Sequence, residues 1–171
     1  DKKDEPRVSI RARVCADAIE VAGADRVVTI DLHAPQIQGF FRIPVDDLYA
    51  LPVLGKAIKA KKLQNLVVVS PDTGFVKQAR RYATLLQCNL AIGDKERINH
   101  DENAEILQII GDVKGKTAMI VDDFAISAGT LVEIANTLIE KGASSVYAAI
   151  THGVFAPGTK ERIDDSPITK L

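Results

Sequence analysis

Tryptophan is absent from this 171-residue chain, and aromatic residues make up only 5% of it. So sparse a set offers few stacking platforms for bases, which argues against a nucleic-acid surface. Net charge is −1, from 22 Lys and Arg against 23 Asp and Glu, so no large field draws the chain to nucleic acid or to a membrane. Neither is expected as a partner. No apolar run approaches the length of a membrane span, and no signal peptide is expected. Cysteine is scarce as well. Cys15 and Cys88 stand in apolar contexts without metal-ligand spacing, and read as reduced core residues of a cytoplasmic protein.

What remains is ordinary for a globular chain, 46% hydrophobic and 26% charged. The length suffices for one good core, or for one domain and part of another. The charged opening DKKDEPRVSI has no initiator Met, and DDSPITKL closes on a turn. Both ends read as cuts in a longer protein.

Apolar runs alternate with helical stretches. ADRVVTIDLH (24–33), LQNLVVVSPD (63–72), NLAIGD (89–94), TAMIVDD (117–123) and SSVYAAITHG (144–153) are continuous rather than alternating, the pattern of strands buried on both faces. Helices are expected between them. Over 12–23, Val14, Cys15, Ala18, Ile19 and Ala22 share one face, with Gly23 as the stop. Over 75–87, Phe75, Val76, Ala79, Ala83 and Leu86 do the same, and a third helix follows residue 130 and stops at Gly142. The alternation predicts a doubly wound α/β fold with a mostly parallel sheet flanked by helices. Gly23-Ala24 and Gly142-Ala143 each precede a strand and then a His, His33 and His152, at equal spacing; this echo is compatible with two related units. FFRIPVDDLYALPVL (40–54), punctuated by Pro44 and Pro52 and broken by Asp46-Asp47, is the best candidate for a domain crossing.

The densest chemistry lies in VDDFAISAGT (121–130). A buried strand runs into Asp122 and Asp123, a small-residue turn of Ser127, Ala128, Gly129 and Thr130 follows, and a helix begins. A helix start offers free N–H groups and a positive dipole end to a phosphate. Small residues permit close backbone approach, and the two hydroxyls can add hydrogen bonds. The acids suit ribose hydroxyls or a divalent metal. A plain strand with a capped turn is the rival reading, disfavoured because abutting carboxylates at a buried strand are costly without partners.

Two more strand ends carry polar groups, at Asp31-Leu32-His33 and at Ser70-Pro71-Asp72. Ligands gather at such ends in open α/β sheets. Taken alone, His33 is more simply a satisfied histidine than a metal or phosphate ligand, and Asp72 more simply a helix cap. GDKERINHDEN (93–103) is either a solvated loop or a mobile flap that brings Lys95 and Arg97 over bound phosphates.

DLHAPQIQGFFRIPVDDLYA (31–50) closely resembles the signature of the ribose-phosphate pyrophosphokinases, and VVVSPDTGFVKQAR, DKER, IIGDVKGKTAMIVDDFAISAGTL and YAAITHGVF continue the match over essentially the whole chain. The resemblance implies two phosphoribosyltransferase-like domains in tandem. Residues 1–46 would be the end of an incomplete first domain and 47–171 a second one, itself cut short. It implies Mg²⁺-dependent transfer of pyrophosphate from ATP to the 1-hydroxyl of ribose 5-phosphate, in a cytoplasmic homo-oligomer, dimers within a hexamer, with phosphate or ADP as effectors. Lys95 and Arg97 would be catalytic cations. Asp72, Asp122, Asp123, Ser127, Ala128, Gly129 and Thr130 would hold the ribose phosphate. His33 would meet the Mg-ATP phosphates, with His33 and Asp72 at the metal. Arg7, Gln38 and Asp46 would lie near a regulatory site.

The chain departs from that pattern. Ile126 stands where many members carry a third Asp, Ser127 where they carry Thr, and Phe75 where they carry a second Gly; Glu96 sits between the flap cations. The family's first half is missing, so the chain by itself is expected to be inactive. A phosphoribosyltransferase using the same loop, or a non-catalytic regulatory relative, are the alternative functions.

Overall fold

The structure, a computed structural model, describes residues 11–97 and 105–171, and for 95–97 and 105–106 the backbone. The chain divides into two compact units, 1–50 and 51–171.

In the first unit, helix α1 (Arg11–Val21) leads to strand β1 (Val27–Ile30), a 3-10 turn (Pro35–Phe40) and strand β2 (Val45–Leu48). The two strands pair in parallel, Val27 opposite Val45 and Ile30 opposite Leu48. A strand over 45–48 was not expected, because Asp46-Asp47 interrupts the apolar run. Both acids have partners. Asp46 pairs with Arg26 at 2.6 Å, and Asp47 accepts from the Thr29 hydroxyl at 2.9 Å and the Leu32 N–H at 3.2 Å. The expected face of α1 is also corrected. Ala12 and Ala16 are the buried residues, while Val14, Cys15, Ala18, Ile19 and Ala22 are exposed. Arg13 sets this orientation: its guanidinium donates to Asp17 on α1 and to the Phe40 carbonyl of the 3-10 turn at 2.9 Å. Cys15 is therefore no core residue, whereas Cys88 in the second unit is half-buried; both thiols are free.

The second unit contains helix α2 (Leu51–Ala60), β3 (Leu66–Ser70), α3 (Val76–Leu86), β4 (Asn89–Arg97), β5 (Glu105–Ile110), β6 (Thr117–Ala125), α4 (Gly129–Glu140), β7 (Ser145–Gly153), α5 (Thr159–Asp164) and β8 (Ile168–Lys170). Pro52 fits the start of α2 because the first helical turn needs no N–H from it. The six strands lie in the order β5-β4-β3-β6-β7-β8, all parallel except the antiparallel β4–β5 pair. This is the mostly parallel, helix-flanked sheet expected from the continuous apolar runs.

Alternation along the central strands feeds two cores. Val67, Val69, Ala118 and Ile120 pack with Ile134 and Leu138 of α4, while Val68, Met119 and Val121 pack with Ile58 of α2 and Tyr82 of α3. Each such buried aliphatic side chain contributes about 1.5–3 kcal/mol, which makes β3 and β6 a rigid base. Gly55 lets α2 and α3 close up, since a Cβ there would fall 2.3 Å from Leu85 Cδ2.

The echoed Gly-Ala pairs are the same helix stop. Gly23 (φ +96°) and Gly142 (φ +87°) donate to Glu20 and Ile139, and Ala24 and Ala143 donate to Ile19 and Leu138. These reaches of three and five residues back form a Schellman cap.

The connection from β3 leaves through α3 to β4 on one side, and that from β6 leaves through α4 to β7 on the other. Adjacent strands whose connections diverge open a crevice at their carboxyl ends. That crevice lies between β3 and β6.

Candidate functional site

Asp72 follows β3, and Asp122 and Asp123 lie in the last part of β6, so all three stand at the β3–β6 crevice. Register along the pair, Val69 opposite Ile120, carries them to similar heights. Strand alternation sends Asp122 and Asp123 to opposite sides of β6. Each carboxylate accepts from the next residue's N–H, Asp122 from Asp123 and Asp123 from Phe124, both at 2.9 Å. Asp123 is buried and Asp122 half-buried. Burial pushes the Asp122 carboxyl up to about 7. The neighbouring Asp123 charge adds to this, the Asp123 N–H opposes it, and the charge on Asp72 adds a smaller increment. Negative charge is thus concentrated where a cation or a ring of hydroxyls would relieve it.

Asp72 is exposed, and its carboxylate accepts from the Phe75 N–H at 2.9 Å, fixing the turn into α3. The buried Ser70 hydroxyl donates to the Asp72 carbonyl at 2.7 Å and braces the same turn. Phe75 is half-buried and packs on the Val68–Met119 core.

After β6 the chain passes Ile126 and Ser127 and enters α4. The residue preceding the helix is Ala128, left-handed at φ 56° and buried, with no side-chain cap. The hydroxyl-capped start suggested by Ser127 and Thr130 is therefore not formed; the Ser127 hydroxyl accepts from the Gly129 N–H at a long 3.4 Å. Gly129 is half-buried, and Ser127 and Thr130 are exposed. The first amides of α4 have no residues before them in the helix to accept their protons, which leaves an anion-seeking turn beside the acids.

The loop is held from behind. The Ala125 carbonyl accepts from the Val154 N–H at 3.0 Å, and the Ile126 carbonyl from the Ala156 N–H and the Thr159 hydroxyl, each at 2.9 Å. Arg162 Nη1 donates to the Ser127 carbonyl at 2.6 Å. Thr159 and Arg162 were not anticipated from sequence. An Arg on a short helix 35 residues beyond its partner carries no motif or periodic signal.

The stretch 93–97 is strand rather than loop. β4 runs through Arg97, with Lys95 opposite Leu107 and Arg97 opposite Glu105 on β5. Gly93 lies against the turn after β3, since a Cβ there would fall 2.8 Å from the Pro71 carbonyl oxygen. Lys95 and Arg97 therefore extend from the flank of the Asp72 turn; their side chains, with residues 98–104 (His100 and Glu102 among them), lie outside the described residues.

His33, Gln38 and Asp46 belong to the first unit. His33 is exposed in a loop fixed by Asp31 (φ 49°), whose N–H donates to the Leu48 carbonyl at 2.8 Å. Gln38 Nε2 donates to the Pro35 carbonyl at 3.0 Å, and Asp46 holds Arg26. Arg7 lies outside the described residues.

Among the described residues no group of three or more His, Cys, Asp or Glu side chains forms a ready metal cage. Mg²⁺ does not need one, since it commonly takes one or two carboxylates and completes its shell with water and substrate phosphates. No helix among the described residues is long and apolar enough to cross a membrane.

The divergent sheet with acids at its switch point and a small-residue turn defines a phosphoribosyltransferase-like α/β fold. The purine phosphoribosyltransferase of Pyrococcus horikoshii shares it at a TM-score of 0.50 and 19% identity, over 77% of this chain and 88% of that one. Residues 102–171 match the phosphoribosyl synthetase-associated domain. The ribose-phosphate pyrophosphokinase of Aquifex aeolicus is 48% identical over 172 residues, all of this chain and 55% of the relative. The crystal structure of phosphoribosylpyrophosphate synthetase from Mycobacterium smegmatis superposes at a TM-score of 0.90 with 39% identity, over 100% of this chain and 55% of that one. Over its whole length the chain is similar to the ribose-phosphate pyrophosphokinases, and it spans about half the length of the curated relatives it matches.

Proposed function

We propose that this chain forms the ribose 5-phosphate site of an enzyme that moves pyrophosphate from Mg-ATP to the sugar's 1-hydroxyl, giving phosphoribosyl pyrophosphate and AMP. The observation that carries the reading is the switch-point crevice, where the half-buried Asp122 and the buried Asp123 stand beside a turn of backbone amides. Asp122 and Asp123 bind the ribose hydroxyls, and Ser127, Ala128, Gly129 and Thr130 receive the 5-phosphate. The sugar oxygen forms its bond to the β-phosphorus as the bond from that phosphorus to the AMP oxygen breaks, and the hydroxyl proton passes to solvent water. The protein's work is alignment and charge stabilisation. Lys95 and Arg97 act on the charge that spreads over the transferring group.

Asp72 in the second unit is proposed as a Mg²⁺ ligand, and His33 is proposed as a metal ligand within the first. The carboxyl-rich crevice fits such an ion, which neutralises phosphate charge when bound. The same reading carries homo-oligomeric assembly in the cytoplasm. It also carries an effector site for phosphate or ADP that includes Arg7, Gln38 and Asp46.

The test is calorimetric titration with ribose 5-phosphate of the protein expressed from its complete reading frame, alongside an assay of AMP release from Mg-ATP. Saturable binding that Asp122→Asn with Asp123→Asn abolishes, together with ribose-dependent AMP, supports the proposal. Binding without AMP favours a phosphoribosyltransferase that only uses the same pocket, and no binding defeats both readings.

A further inference from the structure

We propose that Thr159 and Arg162 of α5 are positioning residues that aim the amides of the phosphate turn; this rests on the site reading above. In a planar trans peptide the carbonyl of one residue and the N–H of the next point in opposite directions. Fixing a carbonyl therefore fixes where the following N–H aims. The Ile126 carbonyl is held by the Thr159 hydroxyl and the Ala156 N–H, each at 2.9 Å. The Ser127 carbonyl is held by Arg162 Nη1 at 2.6 Å. With these oxygens drawn toward α5, the N–H groups of Ser127 and Ala128 face the other way, out of the turn.

The arrangement answers a specific difficulty. Ala128 holds a left-handed backbone, φ 56°, which is strained for a non-glycine residue and relaxes unless its neighbours prevent it. The preceding carbonyl, that of Ser127, is the one Arg162 grips. Thr159 is buried, so its hydroxyl is committed to this contact, while Arg162 is exposed and reaches the loop from solvent. The guanidinium also stands 4.0 Å from where a Cβ on Gly129 would lie, so its charge is placed next to the first turn of α4.

Ribose 5-phosphate and unphosphorylated ribose are titrated into the parent protein, Arg162→Met, Arg162→Lys, Thr159→Val and Thr159→Ser. Expected is a roughly tenfold loss of ribose 5-phosphate affinity in Arg162→Met and Thr159→Val. Ribose binding should be unchanged, Thr159→Ser should restore affinity, and Arg162→Lys should restore it in part. Because Arg162 is exposed, Arg162→Met is expected to melt within about 2 °C of the parent. If the parent binds ribose 5-phosphate and Arg162→Met binds it equally well, the positioning role is wrong and the site reading stands. If the parent binds no ribose 5-phosphate, the site reading itself fails.

Discussion

Asp122 is the residue whose behaviour follows most directly from its surroundings. Its carboxyl is raised from the usual carboxylate range to about 7, chiefly by burial and then by the charge on Asp123. Below about pH 4 the group is protonated in both folded and unfolded chains and contributes no pH dependence. Between about 4 and 7 the folded chain holds a proton that the unfolded chain has released, so stability falls as pH rises through this window. Above 7 both forms are ionised and the full penalty remains. Asp122→Asn should remove that penalty. The variant is expected to match the parent's melting temperature near pH 4 and to exceed it by several degrees at pH 8, since each pH unit of the rise is worth up to about 1.4 kcal/mol. Ribose hydroxyls prefer the ionised acid, so the parent's affinity for ribose 5-phosphate should rise between pH 6 and 8. A parent-to-variant difference in melting temperature that does not grow over pH 4–8 would mean that Asp122 carries no buried charge penalty.

At the scale of elements, what could be read from sequence depended on whether a residue's partner lay nearby in the chain. β3, β6 and α4 were legible because Val67–Val69 and Met119–Val121 are continuous apolar runs buried on both faces, and Leu131, Ile134, Ala135 and Leu138 are apolar at helical spacing. β2 was not, because Asp46 and Asp47 look like breakers until Arg26 and Thr29 supply partners about twenty residues away. The face of α1 failed for a similar reason: a contact from Arg13 to Phe40 fixes its rotation, and periodicity carries no record of it. The site divides in the same way. Its acids and small turn were visible as a contiguous motif, while Thr159 and Arg162 act on that turn from a distant helix. α3 shows a local preference overridden. It ends at the exposed Gln87, held left-handed at φ 54°, where glycine is normally favoured. Gln87→Gly should therefore stabilise the chain by up to about 1 kcal/mol in urea denaturation, with the urea slope unchanged. A loss of stability would mean that the Gln87 side chain makes a contact outweighing its backbone strain.

For the whole molecule, the proposed function asks a near-neutral chain to manage an acidic crevice and an anionic ligand together. The net charge of −1 gives no general attraction for ATP or sugar phosphates, so recognition depends on where charges sit. Asp72, Asp122 and Asp123 repel phosphate, whereas the amides of the 127–130 turn attract it, which separates the sugar end of the site from the phosphate end. In the proposed reaction, charge building up on a transferring pyrophosphoryl group needs cations that neither feature supplies. The β4 extension is suited to bring them, since Gly93 abuts the Pro71 carbonyl and Lys95 and Arg97 follow on the same strand. Interactions of this kind are felt mainly in the transition state, where losing one donor typically costs about 10²–10³ in rate. Lys95→Ala and Arg97→Ala are each expected to lower AMP formation by that order while ribose 5-phosphate affinity stays within about threefold. Steady-state rates and calorimetry on the same preparations separate the two effects. Equal losses in rate and affinity would make these side chains ordinary ligand contacts, and the hairpin would then be part of the sugar pocket rather than a catalytic arm.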